Sequence, residues 1–210
     1  MATNYDNPSI YVADLKAYNE GKLIGEWVDL TEFDEGYEVM EKISDLMDGY
    51  SKKYHNGMET EYAIHDFENF SRELYSESMG EEDFDIILKT HKISEERDIP
   101  AEVLQDVISR YDSASKDIEG FIYERYRGQF DTETDFAYDY VDSVGGIENL
   151  GKNTIDIYFD YASFGSDLAM DYDEIDGHYF DNSYKKGGKI KTHDLKKYMK
   201  KGGGIYPQSD

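Results

Sequence analysis

The sequence predicts an elongated α+β chain of three small modules: a mixed β/α module at the N-terminus (residues 1–66), a helical middle (67–115) and a mixed, strongly acidic module (116–184). A basic tail follows (185–210). Three observations carry this. Short apolar runs bounded by turn residues read as strands, and stretches with apolar residues every three or four positions read as helices. The elements come as strands, then helices, then both, an α+β order. Between Gly128 and Tyr184 a single basic residue, Lys152, stands against fourteen acids, interleaved with eleven aromatics from Phe130 to Phe180. Disordered acidic segments are poor in aromatics, so this stretch reads as a folded core under an anionic surface.

Ser9 to Asp14 reads as a buried strand, Tyr18 to Gly21 as a turn, and Leu23 to Leu30 as a second strand with the only tryptophan, Trp27, expected in the core. Tyr37, Met40, Ile43 and Met47 recur at helical spacing and predict a helix from Tyr37 to Tyr50. A loop containing Asn56-Gly57 leads to a third strand, Glu61 to Phe67. The middle is helical: a short helix over Asp83 to Thr90, and another opened by Pro100 and running to Tyr111, with Val103, Leu104, Val107 and Ile108 as its stripe. Asp117 to Tyr126 follows. Asp131 is expected to cap a helix to Val144, ended by Gly145-Gly146, with Phe136, Ala137, Tyr140, Val141 and Val144 on one face. Ile155 to Phe159 reads as a strand, Asp160 as the cap of a helix to Asp171, and His178 to Asp181 as the last strand.

The net charge is −25, and it is unevenly placed. After Asn182 there are eight lysines and two aspartates, leaving residues 1–182 with 14 basic against 45 acidic residues, or −31. Self-repulsion on that scale works against a compact state. It excludes nucleic acid and anionic membranes as partners of the body and favours a basic surface. A merely soluble acidic protein would share the composition. The absence of cysteine excludes disulfides and thiolate sites and fits a reducing cytoplasm, and no apolar run approaches a membrane span.

The acids that carry the argument are Asp131, Asp135, Asp139 and Asp142, which step along one helix face, with Asp156, Asp160, Asp167, Asp171, Asp173, Glu174 and Asp176 beyond them. Like charges at three- and four-residue spacing cost a helix a few tenths of a kcal/mol per pair, so folding supplies no reason for the row. Such a surface imitates nucleic acid. Duplex DNA carries one charge per roughly 1.7 Å, and two copies of the −31 body match about 31 base pairs. One helical row, at about 6 Å per carboxylate, is too sparse by nearly twofold against a single DNA strand, so several elements must contribute.

No catalytic, cofactor or metal site is expected. His65-Asp66 lacks a partner nucleophile, and Asp171 to Gly177 departs from a calcium loop, with Asn182 where the bidentate Glu belongs. No two carboxylates stand out as a hydrolase pair. The basic tail reads as a flexible extension, with folding back onto the acidic body as the alternative.

Several segments resemble the ArdA antirestriction family: Ile10-Tyr11-Val12-Ala13-Asp14-Leu15 with Tyr18-Asn19, Gly21, Leu23, Gly25 and Trp27-Val28-Asp29; Glu61 to Phe70; Tyr126 to Asp131; and Tyr158 to Tyr161 with Phe164 and Asp167-Leu168. The resemblance implies a non-enzymatic DNA mimic from a phage or mobile element, acting in the bacterial cytoplasm. It also implies a three-module homodimer that occupies the DNA-binding groove of type I restriction-modification enzymes, blocking restriction and often modification. Pairing through the C-terminal module is part of that expectation, placed here near Ile118, Phe121 and Ile122. The competing reading is an acidic module that binds another basic or DNA-binding protein without mimicry.

Overall fold

The structure, a computed structural model, describes residues 7–111, 117–147, 151–182 and 195–198. It is a mixed α+β protein with eight α-helices and two small antiparallel sheets among the described residues. The chain divides into two compact units, Met1–Glu124 and Arg125–Asp210. Among the described residues no helix is long and apolar enough to cross a membrane.

The first unit is built on a three-stranded sheet of order β2-β1-β3, with β1 at Ser9–Asp14, β2 at Gly25–Asp29 and β3 at Tyr62–Glu68. β1 has the predicted bounds. One face of the sheet turns Ile10, Val12, Val28 and Ile64 inward, where α2 (Gly36–Tyr54) and α3 (Glu81–Arg97) cover it with Val39, Ile43, Met47, Phe84, Ile87 and Leu88. A Cβ at Gly36 would collide with the Glu81 carbonyl, so the start of α2 can lie against α3 only as glycine. The Asp85 carboxylate then accepts from the Gly36 N–H at 2.7 Å.

Several elements differ from expectation. A one-turn helix, α1 (Leu15–Asn19), precedes the turn at Gly21 because the Asp14 carboxylate caps it. Trp27 is 44% exposed rather than in the core. Its neighbour Val28 pairs with Ile10 and points inward, so strand alternation turns Trp27 outward, edge-on to Tyr11 at 5.7 Å. α3 is 17 residues long instead of eight. Acids in its first turn favour the positive helix end, the Asp83 carboxylate accepts from the Gly80 N–H at 2.8 Å, and Asp98 in the left-handed region closes it. α4 (Ala101–Ser109) follows Pro100 and buries Val103, Leu104, Val107 and Ile108 as predicted. Buried Gln105 ties it in: its amide donates to Thr90 of α3 at 3.0 Å and its carbonyl accepts from the Ser71 N–H at 2.7 Å.

α5 (Ile118–Arg125) runs straight into β4 (Tyr126–Gln129), a strand outside the predicted set. β4 joins β6 (His178–Asp181) and β5 (Tyr172–Ile175) in a second sheet of order β4-β6-β5. Asp176 and Gly177, both at positive φ, make the two-residue β5–β6 turn. The stretch that partly matches a calcium loop is therefore a hairpin. α6 (Glu133–Ser143) is capped by Thr132, whose hydroxyl accepts from the Asp135 N–H, rather than by Asp131. Val144 ends it and is exposed, because Gly145 and Gly146 at positive φ turn the chain away one residue later.

Ile155 to Phe159 is not a strand. α7 spans Lys152–Tyr158, and the Phe159 N–H donates to the Ile155 carbonyl at 2.8 Å. Ile155, Ile157 and Phe159 alternate in sequence, but Ile157 is 63% exposed and only the i, i+4 pair is buried. α8 (Tyr161–Ala169) has Asp160 as its cap, as predicted, and buries Tyr161, Phe164 and Leu168. Gly165 lets α8 touch the α6 backbone, since a Cβ there would lie 2.5 Å from the Glu133 carbonyl oxygen. Phe136, Phe159, Phe164 and Tyr179 form the aromatic core of this unit.

Among the described residues Asp14 is the most deeply buried acid. It accepts from the Ala17 N–H at 3.0 Å, the Thr60 hydroxyl at 2.5 Å and His55 Nε2 at 2.6 Å. Burial raises the carboxyl pKa, but these donors outweigh it and hold the group below the usual range. Its contribution to stability is thus present above about pH 4 and is lost as acid protonates it. His55→Ala is expected to lower the unfolding free energy by about 3 kcal/mol, read as a lower urea midpoint at neutral pH. An unchanged midpoint would show that the imidazole does not hold the carboxylate.

Candidate functional site

α6 sets the geometry of the acids. Its buried stripe, Phe136, Ala137 and Val141, leaves Asp135, Asp139 and Asp142 exposed, and Asp131 is exposed just before the cap. Asp135 also accepts from the Thr132 hydroxyl at 2.6 Å, so it serves the helix start. Asp139 and Asp142 do the opposite. They lie towards the negative end of the helix, whose last turn has no basic residue. Lys152 reaches Asp142 at 2.9 Å, an exposed pair that raises the lysine pKa. It is the one ion pair made by this row among the described residues.

The remaining predicted acids fall into three groups. On α7, Asp156 is exposed and accepts from the Tyr161 hydroxyl at 3.3 Å. Around α8, Asp160 and Asp167 are half-buried. Asp160 accepts from the Ser163 N–H at 3.1 Å and the Ser163 hydroxyl at 2.9 Å, and Asp167 accepts from the Tyr198 hydroxyl at 2.6 Å. Along the β5–β6 hairpin, Glu174 and Asp176 are exposed while Asp171 and Asp173 are half-buried. Glu174 spends one oxygen on the Gly177 N–H at 2.6 Å.

Two sets of exposed acids lie outside the predicted surface set. Glu133 is exposed at the first turn of α6 and accepts from Ser166 at 2.8 Å. In the first unit, Glu41, Asp45 and Asp48 lie exposed along α2 at steps of four and three, the same like-charge spacing as on α6. That spacing was the available signal. Asp181, by contrast, is buried. Its side chain meets Arg127 at 3.3 Å, and its carbonyl accepts from buried Arg125 at 3.3 Å.

Ile118, Phe121 and Ile122 are buried within the chain, Phe121 edge-on to Tyr111 at 5.0 Å. The exposed groups on the same helix are Glu119, Tyr123 and Glu124, with Tyr123 under the Arg97 guanidinium at 3.5 Å. His65 is half-buried against Tyr18 at 4.3 Å. Among the described residues no three His, Asp or Glu side chains are grouped so as to hold a metal ion.

A profile described as antirestriction protein (ArdA) matches residues 10–185. The chain belongs to the ArdA antirestriction family. Membership implies antirestriction function and an interaction with restriction-modification enzymes, in an inhibitor family rather than an enzyme family. No curated protein sequence matches the chain. The ArdA match ends before the four-residue turn Leu195–Tyr198, which nevertheless packs into the core of the second unit.

Asp139 faces Asp135 and Asp142 at i−4 and i+3, so Asp139→Asn is expected to stabilise the ArdA chain by a few tenths of a kcal/mol, read as a higher urea midpoint. A lower midpoint would mean that the row is not repulsive. The tyrosines test the same field. Burial first, with Asp156 beside Tyr161 and Asp181 beside Tyr172, pushes both phenols up to about 12. A raised folded-state pKa means that stability holds up to the ordinary tyrosine value near pH 10 and is lost as pH rises towards 12. Absorbance titration is expected to show these phenols ionising late, together with unfolding. Their ionisation near pH 10 in a folded chain would refute the assignment.

Proposed function

We propose that this ArdA protein imitates duplex DNA and competes for the DNA-binding groove of a type I restriction-modification enzyme, blocking restriction and modification. One observation carries the proposal. The exposed acids Asp131, Asp135, Asp139 and Asp142 repeat a like charge just before and along α6 with a single lysine as ion-pair partner among the described residues, and Asp139 and Asp142 do so against the interest of the helix itself. In a groove lined by Lys and Arg, those carboxylates stand where phosphates would. At about 6 Å per charge the row is half as dense as one DNA strand, so Glu133, Asp156, Glu174 and Asp176 share the work in an acidic surface with no dominant residue.

The same reading takes the working form, in the cytoplasm of a bacterial host, as a homodimer paired around α5. Because Ile118, Phe121 and Ile122 are buried in the chain, they would shape that helix from behind while Tyr123 and Glu119 meet the second copy. Light scattering of Tyr123→Glu checks the placement: a shift to monomer is expected, and an undiminished dimer refutes it.

The function is tested by titrating the protein into a purified type I enzyme bound to a labelled duplex containing its recognition site. Stoichiometric displacement is expected, independent of flanking sequence and weaker as salt rises. Asp135→Asn alone is expected to change the midpoint by less than about threefold, in keeping with the small worth of one exposed charge pair. Absence of displacement by the folded protein would overturn mimicry and leave an acidic module that binds elsewhere.

A further inference from the structure

The sequence after Asn182 carries eight lysines and lies almost wholly beyond the ArdA match. One part of it is described, the 3₁₀ turn Leu195–Tyr198, and it is docked. Leu195 and Tyr198 are 8% and 7% exposed. The Tyr198 ring lies 4.8 Å from Phe164 and 5.9 Å from Phe159, centre to centre. Its carbonyl accepts from the Asp160 N–H at 2.8 Å, so the turn also meets the residue that caps α8. Its hydroxyl donates to Asp167 at 2.6 Å, and the exposed Lys197 ammonium meets the same carboxylate at 3.4 Å.

This is a basic, aromatic segment seated on an acidic, aromatic site of its own chain. We propose that Leu195–Tyr198 is an intrachain plug: it covers the wall formed by Phe159 and Phe164 and engages the half-exposed Asp167 carboxylate through Tyr198 and Lys197, so a basic partner competes with it for Asp167. Leu195 and Tyr198 supply the anchor, and Lys197 supplies the charge that a partner's lysine or arginine would otherwise bring. The plug makes the affinity of this face for cations depend on how often the segment lifts. The inference rests on the proposed function only for the identity of the partner; the docking stands without it.

Carbodiimide treatment of the full chain, followed by peptide mapping, is expected to join Lys197 to Asp167. The double variant Leu195→Ala/Tyr198→Ala, checked for fold by circular dichroism, is expected to lose that cross-link. It is also expected to bind fluorescein-labelled dodecalysine at least about threefold more tightly than wild type, since the competent fraction rises. If the double variant does not fold, Tyr198→Phe, which keeps the ring and drops the bond to Asp167, carries the comparison and is expected to tighten binding in the same direction. No Lys197–Asp167 link in the wild type, or equal oligolysine affinity in a folded variant, overturns the plug. Tighter oligolysine binding with unchanged displacement of DNA from a type I enzyme upholds the plug and counts against groove occupation by this face.

Discussion

Residues 1–182 carry 45 acids against 14 bases, and each of those carboxylates must stay near water or near a donor while the two cores close. That requirement shapes the elements. Acids are used as helix starts: Asp14 for α1, Asp83 for α3 and Asp160 for α8, each accepting from a backbone N–H near the helix start, where negative charge is favoured. The two acids buried among the described residues, Asp14 and Asp181, are supplied with donors from far along the chain. Asp14 takes His55 and Thr60, and Asp181 takes Arg127. Aromatic rings make up much of what holds the second unit together, with Phe136 stacked on Tyr179 at 4.3 Å and Tyr138 on Tyr161 at 3.7 Å. A ring buries a large apolar area while a phenol tip still reaches water or a neighbouring carboxylate.

Legibility follows from how local each cause is. β1, the stripe of α4, the cap at Asp160 and the stop at Gly145-Gly146 are decided by residues within a few positions, and the sequence reading places them. α7 is misread because Ile155, Ile157 and Phe159 satisfy a strand's alternation, and the exposure of Ile157 is decided by packing alone. β4 and β5 are four residues each, polar at half their positions, and are strands only because β6 lies between them. Trp27 faces outward because register, set by the Ile10–Val28 pair, overrides the burial that a large ring favours.

The acids divide in the same way. The α6 row is visible because one residue type recurs at a helical period, and the structure leaves all of its members exposed. The burial of Asp181 is invisible, since Arg127 stands 54 positions away in sequence. Leu195 and Tyr198 are an apolar pair three apart among lysines, which reads as a flexible tail with fold-back as the alternative, and the contacts of Tyr198 with Phe159 and Phe164 decide for fold-back of this turn.

Two kinds of acid therefore coexist, and the distinction bears on function. Asp14, Asp83, Asp160 and Asp181 are explained by the fold, because each completes a helix end or a buried network. Asp139 and Asp142 are not, because each worsens the helix on which it sits. A chain that kept acids only for solubility would gain as much from carboxylates set among lysines, with i, i+4 pairs stabilising the helix instead of straining it. Repulsion left in place on α6, with Glu41 and Asp45 at the same four-residue spacing on α2, is what the proposed DNA mimicry asks of the surface. The cationic turn Leu195–Tyr198 seated on Asp167 comes from beyond the ArdA match, so the plug proposed for it would act on residues that lie inside the match.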